Sequence, residues 1–134
     1  MAKWMFDIGI KRQELENFLG ISVIDNDYGE FEVGNGVVFT VLNEDEKLAV
    51  AKRNVKKTIS TMNPSFLSRM TGIDVEVFDD LAENNEAIAA IVEGTCGLDK
   101  LVLKAVEFDG WGHFIASNGE ELVISDRHSA FRVN

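Results

Sequence analysis

The sequence has little of the residues that crosslink or interrupt chains: one cysteine, Cys96, and one proline, Pro64, in 134 residues. A lone cysteine excludes an intramolecular disulfide and a zinc site built from cysteine pairs, and it suits a reducing compartment. No apolar run approaches the ~20 residues that cross a bilayer, and Asp7 interrupts the apolar start, which is unlike a signal peptide. We therefore expect a cytoplasmic protein.

Basic residues are also scarce, with 13 lysines and arginines against 23 acids and a net charge of −10. The resulting field repels nucleic acid and anionic membranes, so neither is an expected partner. A basic protein surface is attracted by the same field. Solubility alone also accounts for an acidic balance in many proteins.

The chain lacks any catalytic, metal-binding or cofactor-binding motif of useful specificity, so no cofactor and no metal are expected. Hydrophobic residues make up 46% and charged residues 27% of the sequence, which are ordinary globular values. A chain of this length buries about two-thirds of its unfolded surface on folding. We predict a single domain spanning residues 1–134.

Charges are sorted along the chain. Residues 47–69 carry six basic side chains and no carboxylate, whereas residues 74–93 carry seven carboxylates and no base. The sorting predicts two neighbouring helical surfaces of opposite charge, because the hydrophobic periodicity of both stretches is helical.

The first third of the chain predicts a short helix and a three-stranded meander. Residues 11–19 place apolar side chains on one side and stop at Gly20, a typical glycine C-cap. Strands are expected at residues 21–24, 30–33 and 37–42, with turns at residues 25–29 and 34–36.

Helix signals dominate the middle of the chain. Asn43 and Glu46 form a capping-box pattern, after which Leu48, Ala51, Val55, Ile59 and Met62 share one arc of a helix. The opposite side of that helix is basic and contains Lys52, Arg53, Lys56 and Lys57. Further helices are expected from Asn63-Pro64 to Thr71, from Asp74 to Ala82, from Asn84 or Asn85 to Gly94, and over residues 98–107.

The last part of the chain predicts a hairpin around Asn118-Gly119, between residues 113–117 and 120–125, with a further strand at residues 131–133. Strands at both ends around a run of about four helices indicate an α+β fold. We expect the two sets of strands to meet in one antiparallel sheet.

Several short segments carry a family resemblance: residues 39–46 (FTVLNEDE), 63–67 (NPSFL), 109–114 (DGWGHF), 118–121 (NGEE) and the ending FRVN. In this order they resemble a group of small acidic bacteriophage and prophage proteins of unassigned biochemical function. The relatives usually have arginine at the position of Trp111 and a Tyr-Asp-Gly-like turn near Asn118. The resemblance implies a viral accessory role in a host cell, without supplying a chemistry.

One candidate catalytic site follows from the predicted hairpin. A two-residue loop at Asn118-Gly119 would place His113 opposite Ile124 and diagonal to Asp126, within reach of an imidazole–carboxylate contact. Together with Asp109 these groups could perform acid–base chemistry or hold a metal, with Cys96 or Ser125 as a further participant. The competing interpretation is a histidine that only stabilises the hairpin by hydrogen bonding.

Cys96 precedes a predicted helix, where the dipole can lower a thiol pKa and produce a nucleophile. A lone cysteine is more often a small buried hydrophobic side chain.

The charged helices suggest binding instead of catalysis. Lys52, Arg53, Lys56 and Lys57 could contact an acidic partner, whereas Asp79, Asp80 and Glu83 belong to an acidic surface able to compete for a DNA-binding groove or a basic protein. Solvated or mutually neutralised faces explain the same residues. We predict a non-enzymatic binder of a host or viral protein. The alternatives are a small enzyme or metal-dependent module centred on Asp109, His113 and Asp126, and a structural homo-oligomer.

Overall fold

A computed structural model describes residues 3–27 and 29–134, with the side chains of residues 3–6 and 27 outside the description. The chain forms two compact units. The first comprises Met1–Lys47 together with Gly110–Asn134, and the second comprises Leu48–Asp109. The single-domain assignment stays a prediction.

The described residues form seven α-helices, one 3-10 helix and five strands, which confirms the predicted α+β class. In chain order they are α1 (Lys3–Leu19), β1 (Ile24–Asp27), β2 (Glu30–Gly34), β3 (Val37–Leu42), α2 (Glu44–Thr58), the 3-10 turn Ile59–Thr61, α3 (Pro64–Thr71), α4 (Val75–Asp80), α5 (Asn85–Gly94), α6 (Leu98–Asp109), α7 (Trp111–Ile115), β4 (Leu122–Val123) and β5 (Ser129–Arg132).

The first unit contains one antiparallel sheet in the order β1-β2-β3-β5-β4. Strand β5 pairs with β3, so the strands from the two ends of the chain meet in one sheet, as predicted. The β2–β3 hairpin turns at Asn35-Gly36, where both residues have positive φ (53° and 75°). Such angles define the type I′ loop, whose twist matches that of the flanking strands.

The core of this unit lies between α1 and one face of the sheet. Leu15 of α1 packs with Phe31, Val41 and Ala130, all fully buried. The three sheet residues lie on the same face. Val41 and Ala130 are cross-strand partners, and Phe31 is the partner of Phe39, which is two residues from Val41 and so points to the same side of the sheet.

The second unit is helical, and most of its predicted helix boundaries are confirmed. Asn63 caps α3 by accepting a hydrogen bond from the Ser65 amide, and Gly72 ends that helix in the left-handed conformation. Asn84 caps α5 through the Ala87 amide. The predicted apolar stripe is confirmed at Ala51 and Val55 of α2 and at Ile59 of the 3-10 turn, which are buried, whereas Leu48 and Met62 are half-buried. The helix itself ends at Thr58, before the predicted Met62.

The capping box that begins α2 also forms. The Asn43 side chain accepts from the Glu46 amide and the Glu46 carboxylate accepts from the Asn43 amide, both at 2.9 Å. Asp74, by contrast, makes no side-chain cap, and α4 ends at Asp80, two residues before the predicted Ala82.

Two predictions near the chain ends are wrong. The first helix begins at Lys3, well before the predicted start at residue 11, and β1 occupies Ile24–Asp27, residues mostly expected to form a turn. Strand β1 extends past the predicted end at residue 24 because Ile24 pairs with Glu32 of β2 and the pairing continues as far as Asp27, which pairs with Glu30. The position of Tyr28 in the predicted turn lies outside the described residues.

The predicted hairpin around Asn118-Gly119 is also wrong. Residues 111–115 form helix α7, and β4 pairs with β5. Only Gly119 of the dipeptide has positive φ, so a type I′ loop is absent there. The helix reaches this turn through buried Gly112, where a Cβ would overlap the backbone of Gly119 and Glu120.

No helix in the described part of the chain combines the length and the apolar character needed to span a membrane.

Candidate functional site

The acidic stretch forms an exposed surface on α4 and α5. Phe78 anchors α4 in the interior of the second unit, which leaves the flanking polar positions in solvent. Six carboxylates of this stretch are exposed: Asp74, Glu76, Asp79, Asp80, Glu83 and Glu86. Among the described residues, none of the six takes part in a salt bridge. We call these six residues the acidic surface.

Glu83 lies in the turn between α4 and α5 with φ at 71°. The left-handed conformation is costly for a residue with a side chain, and glycine is the usual choice. The backbone strain therefore falls within the acidic surface, at one of the residues predicted to bind.

The basic side of α2 is only partly neutralised. Lys52 donates to Asp99 of α6 at 2.6 Å, and this hydrogen bond raises the pKa of Lys52. Arg53, Lys56 and Lys57 are exposed, and no salt bridge involving them occurs among the residues that the structure describes. The internal partner of the basic helix is thus Asp99, outside the 74–93 stretch that the sequence suggested.

The predicted site around His113 loses its geometric basis, because the strand that would have carried His113 is helix α7. His113 is exposed, and its ring contacts the edge of Phe114 at a centroid distance of 4.8 Å. The competing interpretation, a histidine that stabilises the hairpin, depended on the same hairpin, which is absent. Asp109 and Asp126 are both exposed.

Cys96 is half-buried in the turn before α6, as its position in the sequence indicated. Its thiol makes a long contact of 3.6 Å to the Gly97 carbonyl oxygen. The described residues place no basic group in hydrogen-bond contact with its sulfur, so the structure provides no base that would activate it.

A polar cluster that sequence reasoning missed joins α1 to the turn between β4 and β5. The Glu14 Oε2 atom accepts hydrogen bonds from Ser125 Oγ at 2.5 Å and from His128 Nδ1 at 2.7 Å. Ser125 Oγ in turn accepts from the backbone amides of Arg127 and His128. Glu14 and His128 are 114 positions apart, and no local pattern connects them.

The hydrogen bonds of this cluster determine its protonation. Burial alone would raise the pKa of Glu14, but the hydrogen bonds from Ser125 and His128 outweigh it and the pKa is lowered. Glu14 is therefore a carboxylate at neutral pH, and the proton between it and His128 resides on Nδ1. Ser125 donates to Glu14 and not to the imidazole, so it is not arranged as the nucleophile of a hydrolase triad.

His128 also lines a groove of about 420 Å³ in the first unit. The other lining residues are Asp7, Ile10, Lys11, Asn43, Glu44, Asp45, Asp126 and Arg127. The side chain of His128 is only 10% exposed. Among the described residues, Nε2 of His128 makes no hydrogen bond. Because no fully buried side-chain nitrogen or oxygen of those residues lacks a partner, Nε2 retains access to solvent.

Two buried lysines connect the start of α2 to the rest of the first unit. Lys11 of α1 donates to Glu46 at 2.9 Å, so the Glu46 carboxylate serves both this contact and the capping box. Lys47 donates to Glu44 at 2.6 Å and to Glu121 at 2.8 Å. These contacts hold residues 44–47, the first turn of α2, against α1 and the segment before β4 within the first unit.

The segments that carry the family resemblance coincide with structural contacts. Gly112 packs against the turn at Gly119, and both belong to resemblance segments. Asn134 accepts from the Val38 amide at 2.9 Å and donates to the Gly36 carbonyl oxygen at 2.6 Å. These segments therefore include residues that the fold itself requires.

Comparison with known proteins returns no family model, no curated protein and no solved structure that matches this chain.

Described His, Cys, Asp and Glu side chains nowhere form a group of three or more suited to a metal ion.

Proposed function

We propose that the protein is a phage-type accessory protein that binds a basic host or viral protein through the acidic surface of α4 and α5. The observation that carries this proposal is the set of six exposed carboxylates without an ion pair among the described residues. Mutual neutralisation by the neighbouring basic helix was the simplest competing explanation. Among the described residues, the cations of that helix pair with Asp99 through Lys52 and with Glu44 and Glu121 through Lys47, and none of these three carboxylates belongs to the acidic surface.

Unpaired carboxylates on adjacent helices attract a basic surface at little internal cost, since no ion pair that the described residues form has to break. Charges of this kind mainly accelerate association and select the partner. Screening reduces the attraction when ionic strength brings the Debye length to about 8–10 Å, at 0.1–0.15 M salt. Binding is therefore expected to weaken steeply with salt.

The exposed cations Arg53, Lys56 and Lys57 of α2 provide a second charged region. A partner with both acidic and basic parts would be oriented by the two regions together. Nucleic acid is a poorer candidate for the cations, because the chain as a whole carries a net charge of −10. Retention on DNA that depends on these three residues would contradict this choice.

Affinity capture from a host lysate tests the proposal at low and moderate salt. The test variant combines Asp79→Asn, Asp80→Asn and Glu83→Gln. The matched control removes three exposed carboxylates of the first unit by Asp25→Asn, Glu30→Gln and Glu120→Gln, and it changes net charge by the same amount.

A specific partner should be captured by the wild type and the control, lost with the test variant, and released by added salt. Equal loss in both variants would show that only net charge matters and would remove the assigned surface. Absence of any specific partner at either salt concentration would refute the proposal. The alternative, a small enzyme or metal-dependent module centred on Asp109, His113 and Asp126, was argued from a hairpin that is absent, so we do not propose it.

A further inference from the structure

We propose that the groove beside His128 binds a small organic cation with N–H donors, such as a primary ammonium or guanidinium group, through His128 Nε2. The site lies in the sheet-containing unit and involves none of the residues of the acidic surface. It is therefore a second binding site, independent of the proposed function.

The acceptor is provided by the Glu14–His128 pair. The carboxylate of Glu14 receives the Nδ1–H of His128 at 2.7 Å and fixes the ring. In the neutral imidazole the other nitrogen, Nε2, is then an acceptor with its lone pair free. His128 is nine-tenths buried and lines the groove, so its remaining access to solvent is on the groove side.

The charge of the groove favours a cation. Asp7, Asp45 and Asp126 are exposed carboxylates of the lining, and no salt bridge between described residues involves them. Lys11 of the lining is already paired with Glu46. The remaining lining cation, Arg127, is outnumbered by the three aspartates.

The size of the groove limits the ligand. At about 420 Å³ it lies near the lower end of the range of about 300–1,000 Å³ for small-molecule sites. A ligand of the size of one amino-acid side chain fits this volume. The groove is partly open to solvent, so a lysine or arginine side chain of another molecule offers the same chemistry as a free amine.

An anion is the main competing ligand, since Arg127 and the amino end of α2, which lies at the groove through Glu44 and Asp45, would attract one. Phosphate is therefore the appropriate counter-probe. A second counter-probe, tetramethylammonium, has the charge of an alkylammonium ion but no N–H donor.

The experiment is an NMR titration of the two histidine side chains at a pH where both imidazoles are neutral. Butylammonium should shift the His128 signals saturably and leave those of exposed His113 nearly unchanged. Tetramethylammonium and phosphate should produce at most a third of the His128 response. Saturation by phosphate, or an equal response to tetramethylammonium, would overturn the assignment of Nε2 as the acceptor.

Substitutions locate the site. Asp45→Asn and Asp126→Asn together should weaken butylammonium binding at least threefold, whereas Asp25→Asn, a surface change away from the groove lining, should leave it within a factor of about 1.5. These positions are exposed, so the variants are expected to fold, and the unchanged His113 signals report that they do. No shift of His128 with butylammonium, or an equal effect of the Asp25 control, would refute the proposal.

Discussion

Replacing Lys47 with methionine should destabilise the protein by about 2–4 kcal/mol, because the change leaves a partly buried carboxylate without its cation. The Lys47 side chain is only 6% exposed, and its ammonium group bridges Glu44 and Glu121 at 2.6 and 2.8 Å. Methionine keeps most of the aliphatic stem, so the loss reflects charge more than packing.

The two contacts contribute unequally. Glu44 is 72% exposed and lies one helical turn from Lys47, which makes this pair worth about 0.3–0.5 kcal/mol. Glu121 is 23% exposed and also accepts from Ser129 Oγ at 2.6 Å, so its carboxylate is held in place when the lysine is removed. Removing one partner of a buried pair costs about 3–5 kcal/mol, and the partial exposure of Glu121 reduces this to about 2–3.

Urea unfolding followed by circular dichroism and tryptophan fluorescence measures the effect. Trp111 is a local reporter, since the Lys47 ammonium lies 6.0 Å from the centre of its ring. The double variant Lys47→Met with Glu121→Gln should recover at least about 1 kcal/mol relative to Lys47→Met alone, because no uncompensated carboxylate remains. Glu44→Gln should change stability by less than about 0.5 kcal/mol.

A pH profile gives an independent check. Burial alone would lower the pKa of Lys47, but its hydrogen bonds to Glu121 and Glu44 outweigh this and raise it. The stabilisation is thus complete below the unfolded-state pKa of about 10.4 and is lost as pH rises through the higher folded value. A cost below about 1 kcal/mol for Lys47→Met, or additive effects in the double variant, would refute the assigned role of the ion pair.

Three further changes have defined outcomes. Gly112→Ala should destabilise the protein by about 1–3 kcal/mol in urea unfolding, because the added Cβ overlaps a neighbouring backbone. Gly94→Ala, in open space on α5, should instead stabilise it by about 0.5–1 kcal/mol. Equal effects of the two changes would exclude the close approach at Gly112. Glu14→Gln should flatten the fall in the urea midpoint below about pH 4.5. Because the pKa of Glu14 is lowered in the folded protein, its carboxylate stabilises the fold above the unfolded-state pKa, and this stabilisation is lost as pH falls through the folded-state pKa. Parallel pH profiles of the wild type and the variant would contradict this. Asn134→Ala should cost about 0.5–1.5 kcal/mol by chemical denaturation, and no loss would show that its hydrogen bonds to the β2–β3 hairpin contribute nothing.

Local signals predicted the helical part of the fold well. Asn63-Pro64 and Gly72 bound α3, and Asn84 begins α5, because a cap acts on backbone groups within three residues of itself. The buried stripe of Ala51, Val55 and Ile59 followed from helical period alone. Helix caps and apolar stripes depend on residues a few positions apart, so they can be predicted from the sequence alone.

The predicted hairpin shows where local signals fail. Asn-Gly favours a two-residue loop at both Asn35-Gly36 and Asn118-Gly119, yet only the first pair forms one. At the second pair, helix α7 packs against the turn through Gly112. Tertiary packing outweighs the local preference of the dipeptide here, and the geometric argument for a site around His113 depended on that loop.

The sequence by itself determined the α+β class, the helix caps, the apolar stripe of α2 and the separation of charge along the chain, since each depends on residues a few positions apart. Only the tertiary structure decided that Lys52 pairs with Asp99, that buried Lys47 pairs with Glu121, and that Glu14 orients His128 beside a groove. Contacts between residues 47 to 114 positions apart arise from how the chain folds back on itself, and no periodicity or motif encodes which distant side chains meet.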